Sequence, residues 1–135
     1  MGVSLYDVSV AQFIQTLGAL SGILEKGARF AAANNVDLTE IVDSKVHPTM
    51  LPFSFQVVSA VHHSKGAIAA MKSGRATPPG PAPEGGYPAL QKLVADAIDS
   101  LPRAYRRVLE EIPLVVLDQP DAEMLRDLGI DPAEE

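Results

Sequence analysis

The chain has 135 residues, a formal net charge of −6, 47% hydrophobic residues and no cysteine. That is enough for one domain with its own core; it excludes disulfides, thiolate metal sites and thiol nucleophiles, and so few cations argue against a nucleic acid or an anionic membrane surface as partner. The first residues have neither a basic start nor a long apolar run, and no segment has the about 18 consecutive apolar residues of a membrane span, so the expectation is a cytoplasmic protein with no membrane partner.

Taken in chain order, Ser9 to Gln12 reads as a capping box that opens a long helix. Val10, Phe13, Leu17, Leu20, Leu24, Ala28 and Ala31 recur at three- and four-residue spacing on one face, with Ile14, Ile23 and Phe30 as a second apolar edge. Gly18, Gly22 and Gly27 weaken such a helix by up to about 1 kcal/mol each, which points to close helix–helix contact. Asn34-Asn35 should end it. Asp37 to Glu40 is a second capping box, opening a short helix, and His47 lies in the linker that follows, held out of helical angles by Pro48.

The stretch from His47 to Gly74 holds all three histidines. From about Pro52 it reads as a helix with Phe53, Val57, Ala60, Val61, Ser64, Ala67, Ile68 and Met71 on one stripe at about 100° per residue. On that wheel Gln56, Ser59 and His63 flank the buried face, and His62 points to solvent. Residues 75–88 are rich in proline and glycine and read as an exposed loop. A third helix should start near Pro88 and carry Leu90, Leu93, Val94, Ala97, Ile98, Leu101, Ala104, Tyr105 and Val108, either kinking at Pro102 or ending at Ser100, which recaps a new helical piece with Pro102 in its first turn. Arg103, Arg106 and Arg107, with Glu110 and Glu111 following, read as a solvated helix face. Residues 112–118, IPLVVLD, form an apolar segment of strand character without a partner, and residues 121–129 read as a short helix. Together these elements predict one all-α antiparallel bundle whose C-terminal segment, residues 112–135, is atypical.

The chain resembles a known family. SLYDVSVAQFIQTLGALSGILEKGARFA, then MLPFSFQV, then SKGA are similar to an uncharacterised helical family, domain of unknown function number nineteen-ninety-three, of the DinB/YfiT-like superfamily of metalloenzymes. The matching positions are Ser4, Leu5 and Tyr6; Met50 and Pro52; Gln56 and Val57; and Lys65, Gly66 and Ala67. The resemblance covers residues 4 to 74 and extends more weakly to about Leu109. It implies a four-helix bundle with a polar interior cleft, which in many superfamily members holds a divalent metal on three histidines, one from the second helix and two from the fourth. Only the second-helix position has a candidate here, His62 or His63, since no histidine follows His63 and the fourth helix is short.

His47, His62 and His63 are the possible metal ligands, but adjacent histidines on a helix point about 100° apart and no His-x-x-x-His pair exists. The expectation is therefore no cofactor and no metal. The leading candidate chemistry is acid/base catalysis by His63, with Gln56 orienting it and Tyr6 or His47 assisting, as in the small cofactor-free isomerases and cyclases of biosynthetic pathways. Met50, Phe53, Ser59 and Phe13 are candidates to line a small-molecule pocket. The alternatives are a non-catalytic binding or dimerisation module and a metal-dependent DinB-like enzyme. A bundle short of a fourth helix leaves an apolar groove, and a two-fold homodimer would cover it.

Overall fold

The computed structural model describes residues 5–101, with side chains from Ser9 onward. Among the described residues every regular element is a helix. They are α1 (Leu5–Asn34), α2 (Leu38–Asp43), α3 (Phe53–Val61), a π-helical turn (His62–Gly66), α4 (Ala67–Ser73) and α5 (Gly86–Asp99). The strand expected at residues 112–118, the short helix at 121–129 and whatever follows Pro102 lie outside the described residues.

In α1 the buried positions are the seven-residue series Val10, Leu17, Leu24 and Ala31, with Ile14. Such a series keeps one seam facing its neighbours along the whole helix. Two expectations shift. The helix is already formed at Leu5, so Ser9 lies inside it rather than at a cap; residues 5–8 contain no Pro or Gly to stop the ladder upstream. Ile14 joins the core, while Phe13, Leu20 and Ala28 sit at its margin. Ile23 and Phe30, the expected second edge, are 46% and 59% exposed. The helix ends as expected: Asn35 takes the left-handed conformation at φ 53°, and the Val36 N–H donates to the Ala31 carbonyl at 3.0 Å, the wrap that satisfies the last free carbonyls.

Asp37 caps α2, its carboxylate accepting from the Thr39 N–H at 2.8 Å. That bond favours the charged form and holds the Asp37 carboxyl below the usual carboxylate range. A lowered folded-state pKa contributes stability above the unfolded value, and that contribution is lost as pH falls through the folded value. Asp37→Ala should therefore destabilise at pH 7, through the lost N-cap. The gap between wild type and variant should narrow below about pH 4 in urea titrations. A gap that holds constant to pH 2.5 would sink this account.

The linker is closed by the Phe53 N–H, which donates to the Ser44 carbonyl at 2.8 Å. In α5 the buried series is Tyr87, Leu90, Val94 and Ala97, and Leu101 just past the helix continues the alternation of three and four residues. This helix packs on α1, α2 and α3, so it is the centre of the described bundle. Gly85 and Gly86 at φ 111° and 65° turn the chain into it, conformations that side chains resist. Pro88 falls in its first turn, where no intrahelical hydrogen bond is lost. Ser100 is its C-cap, with the hydroxyl on the Ala97 carbonyl at 2.6 Å.

Candidate functional site

The second long helical stretch is unbroken from Phe53 to Ser73 but changes step in the middle. Residues 62–66, HHSKG, form a π turn, which carries one extra residue and interrupts the regular ladder. Ser64 is 98% buried at this point, and its hydroxyl donates to the Ala60 carbonyl at 2.6 Å, with a longer bond to Val61 at 3.2 Å. A buried hydroxyl has to find such a partner, and here it supplies a donor where the ladder changes step.

Four of the five deepest positions before and within that turn are Ser54, Val57, Val61 and Ser64; the fifth is Val58. Burial of Ser54 and Val58 rotates the true buried face by about 60° from the stripe read off the sequence. The roles of the two histidines therefore exchange. His62 is half-buried and His63 is exposed. Apolar residues surround so much of residues 53–61 that periodicity alone does not centre the face, and Val58 was the signal against the chosen centre.

The His62 ring lies over Gly66, one turn on. A Cβ on Gly66 would stand 3.2 Å from His62 Nδ1, 3.5 Å from Cγ and 3.6 Å from Cε1. The ring thus rests on the glycine by one edge and turns Nε2 to the other. The His63 ring meets it edge-on, with centroids 5.3 Å apart and planes at 84°. Two clefts open beside His62. The larger, of about 480 Å³, is lined by both histidines, Gly66, small residues of α4, and Arg75, Ala76 and Thr77 from the start of the loop. The smaller, of about 260 Å³, is lined by Val58, Val61, His62, Lys65, Ala69, Leu93 and others. His62, Gly66 and Ala69 belong to both. The Pro-rich loop, expected as a surface connection, is largely exposed and yet supplies a wall of each cleft, through residues 75–77 and Gly80.

Of the other sequence candidates with described side chains, none lines these two clefts. Gln56 is exposed, and its Nε2 donates to the Leu51 carbonyl at 3.1 Å. His47 is engaged within its own linker turn: its Nδ1 accepts from the Thr49 N–H at 3.3 Å and lies 2.8 Å from the Thr49 hydroxyl. Met50 is exposed in the same linker. Phe53 packs against the core and stacks on Tyr87, with centroids 6.4 Å apart. Ser59 and Phe13 are half-buried, and neither lines the two clefts. The Tyr6 side chain lies outside the described residues.

The metal implied by the family resemblance needs three converging ligands. Among the described residues no group of three His, Cys, Asp or Glu side chains converges, and the neighbouring rings of His62 and His63 stand edge to face rather than aimed at a common point. The described residues do not fit that ligand set.

Tyr87 is a residue that the sequence reading missed. It is 2% exposed at the start of α5, and its hydroxyl donates to the Leu24 carbonyl of α1 at 2.7 Å. Burial pushes this hydroxyl's pKa above the usual tyrosine value, so it stays a protonated donor. Gly27, four residues before Ala31 on α1, has no room for a Cβ, because that atom would overlap the Tyr87 hydroxyl oxygen.

Among the described residues no helix is long and apolar enough to cross a membrane. No curated protein and no solved structure matches the chain significantly. A family model described as Domain of unknown function (DUF1993) matches residues 5–117, and the chain belongs to that family.

Proposed function

We propose that this protein binds a small molecule in the clefts beside His62 and acts on it as a cofactor-free isomerase or cyclase, with a histidine as the acid/base group. The observation that supports the reading is the seating of His62 on Gly66 at the π turn, in the wall common to both clefts. Irregular helical turns of this kind are frequent at functional sites, and a ring fixed by packing loses little freedom when it meets a ligand. The size of the larger cleft, about 480 Å³, falls within the range of small-molecule sites. The assignment moves the acid/base role from His63 alone to the His62–His63 pair and leaves out Gln56 and His47. In the isomerisation of an unsaturated ketone, one imidazole nitrogen takes a proton from the carbon between the carbonyl and the C=C bond, and the resulting dienolate is reprotonated by the imidazolium at the far end of the conjugated system. The kinship with the DinB/YfiT-like superfamily suggested by the sequence would place a metal-assisted site near the same helix; no three ligands converge there among the described residues, which favours the metal-free version.

The test has two parts. A panel of small ketones, cyclohexenone first, is titrated against the labelled full chain by NMR, and shifts are expected at Gly66, Ala69 and Ala70. Ala69→Trp starts from the wall common to both clefts at an exposed position, so it should abolish those shifts without lowering the melting temperature. Deuterium exchange into a bound ketone should be accelerated by wild type and lost in His62→Gln. Binding without exchange would reduce the reading to a binding module, and binding elsewhere on the surface would end it.

A second reading, a dimerisation module, is favoured by Ile23 and Phe30, which share one face of α1 and stay 46% and 59% exposed.

A further inference from the structure

The charges of this acidic protein are not evenly spread. All 17 acidic residues fall outside residues 44–83, and that stretch carries Lys45, Lys65, Lys72, Arg75 and all three histidines. It is the stretch that forms most of both clefts. Among the described residues no acidic residue lines either of them. Two polar side chains of the larger cleft, Ser73 and Thr77, are hydroxyls, and among the described residues its one permanent charge is Arg75. Among the described residues Lys65, Lys72 and Arg75 have no carboxylate within ion-pair distance, whereas Arg29 and Lys92 pair with Glu25 and Asp96 on their own helices.

Arg75 is also held in place. Gly74 turns the chain at φ 68°, and the Ser73 hydroxyl accepts from the Arg75 N–H at 3.3 Å and lies 3.3 Å from its carbonyl. The guanidinium therefore starts from a fixed backbone at the mouth of a cleft walled by Gly66, Ala67, Ala69, Ala70 and Ala76. A cation without a partner, in a cleft without acids, on a protein of net charge −6, favours a negatively charged occupant. The planar fork of an arginine matches a carboxylate in two parallel hydrogen bonds. The alanine walls offer only apolar contact to the rest of the ligand.

We propose that the larger cleft takes a small organic carboxylate, with its carboxylate on Arg75 and its apolar body against the alanines, beside His62 and His63. The inference rests on the reading of this cleft as the small-molecule site and names the class of molecule. The last carbonyls of α4 repel an anion at the helix end, which puts the carboxylate on the loop side of the cleft.

The experiment compares benzoate, its neutral isostere benzamide and inorganic phosphate by NMR titration of the labelled full chain at low salt. Benzoate should shift the amides of Gly66, Ala70, Ala76 and Thr77 saturably and bind at least about fivefold tighter than benzamide. Added salt should erode that advantage, since Arg75 is exposed. Arg75→Gln should remove the advantage and leave benzamide unaffected, and Lys45→Gln, in the same acid-free stretch but outside both clefts, should retain it. Equal binding of benzoate and benzamide at these amides would overturn the carboxylate inference and leave the small-molecule reading intact. No shifts with either would overturn both. Phosphate binding more tightly than benzoate at the same amides would overturn the carboxylate assignment.

Discussion

Gly27→Ala should destabilise the wild-type protein and stabilise the Tyr87→Phe variant. In the wild type the new methyl group overlaps the Tyr87 hydroxyl, which is 2% exposed and bonded to Leu24. The ring has little room to retreat, because its other side stacks on Phe53. Overpacking of this kind costs about 1–3 kcal/mol, and displacing the hydroxyl also forfeits a buried hydrogen bond worth about 1 kcal/mol. The gain in helix propensity from Gly to Ala, up to about 1 kcal/mol, offsets only part of this. In Tyr87→Phe the overlapping oxygen is gone, and the nearest remaining atom is the ring carbon that bore it, at an ordinary contact of 3.5 Å. There the propensity gain should stand alone. Urea unfolding of the four proteins measures the coupling, which should be about 2 kcal/mol or more. Additive effects, with Gly27→Ala destabilising both backgrounds alike, would mean that the glycine is required for another reason.

This pair also shows what the sequence could and could not tell. Gly27 in the middle of a helical pattern pointed to close contact, and close contact is what the structure has there. The partner was not legible. Tyr87 sits at the end of a Pro- and Gly-rich stretch, one residue before the expected helix start, so neither periodicity nor composition marked it as core. Its burial depends on the turn made by Gly85 and Gly86, a property of backbone angles rather than of apolar pattern. The helix ends behaved differently. Asn35, Asp37 and Gly74 act through local chemistry, within a turn of themselves, and local chemistry is what a sequence displays.

The candidate site lies between these cases. The helical wheel sets His63 at the edge of the buried face and His62 in solvent, whereas the structure leaves His62 half-buried and His63 exposed. The angle between neighbours on a helix is fixed, so the error was one of phase. Phe53, Phe55, Val57, Val58, Ala60 and Val61 leave little polar contrast from which to set the phase. Ser54 and Ser64 are buried although polar, because helix carbonyls satisfy a hydroxyl such as that of Ser64. The π turn added a further displacement that no spacing argument at about 100° per residue contains. The contribution of the loop to the cleft walls was invisible for a related reason: composition tells that residues 75–83 are irregular, and only the fold tells which surface they return to.

Leu90→Ala and Phe30→Ala should differ by more than any other pair of equally apolar positions. Both belong to apolar helical patterns, and the sequence ranks them alike. Leu90 is 1% exposed at the middle of α5, the helix that packs against α1, α2 and α3. Truncating it opens a cavity at the junction of several helices, none of which can move in without leaving another, so the loss should reach the about 2–5 kcal/mol of a core leucine. Phe30 is 59% exposed on α1, and its removal from a monomer should change stability by no more than about 0.5 kcal/mol. A homodimer changes only the second expectation. If the Ile23–Phe30 face is buried against a second copy, Phe30→Ala should lower the melting temperature more at high protein concentration than at low, because the wild type then gains stability from association by mass action that the variant lacks. Leu90→Ala should lower it at every concentration. Thermal melts over a hundredfold range of concentration therefore separate the core from the interface. A Phe30→Ala melting temperature equal to wild type throughout that range would leave the dimerisation reading without its observation.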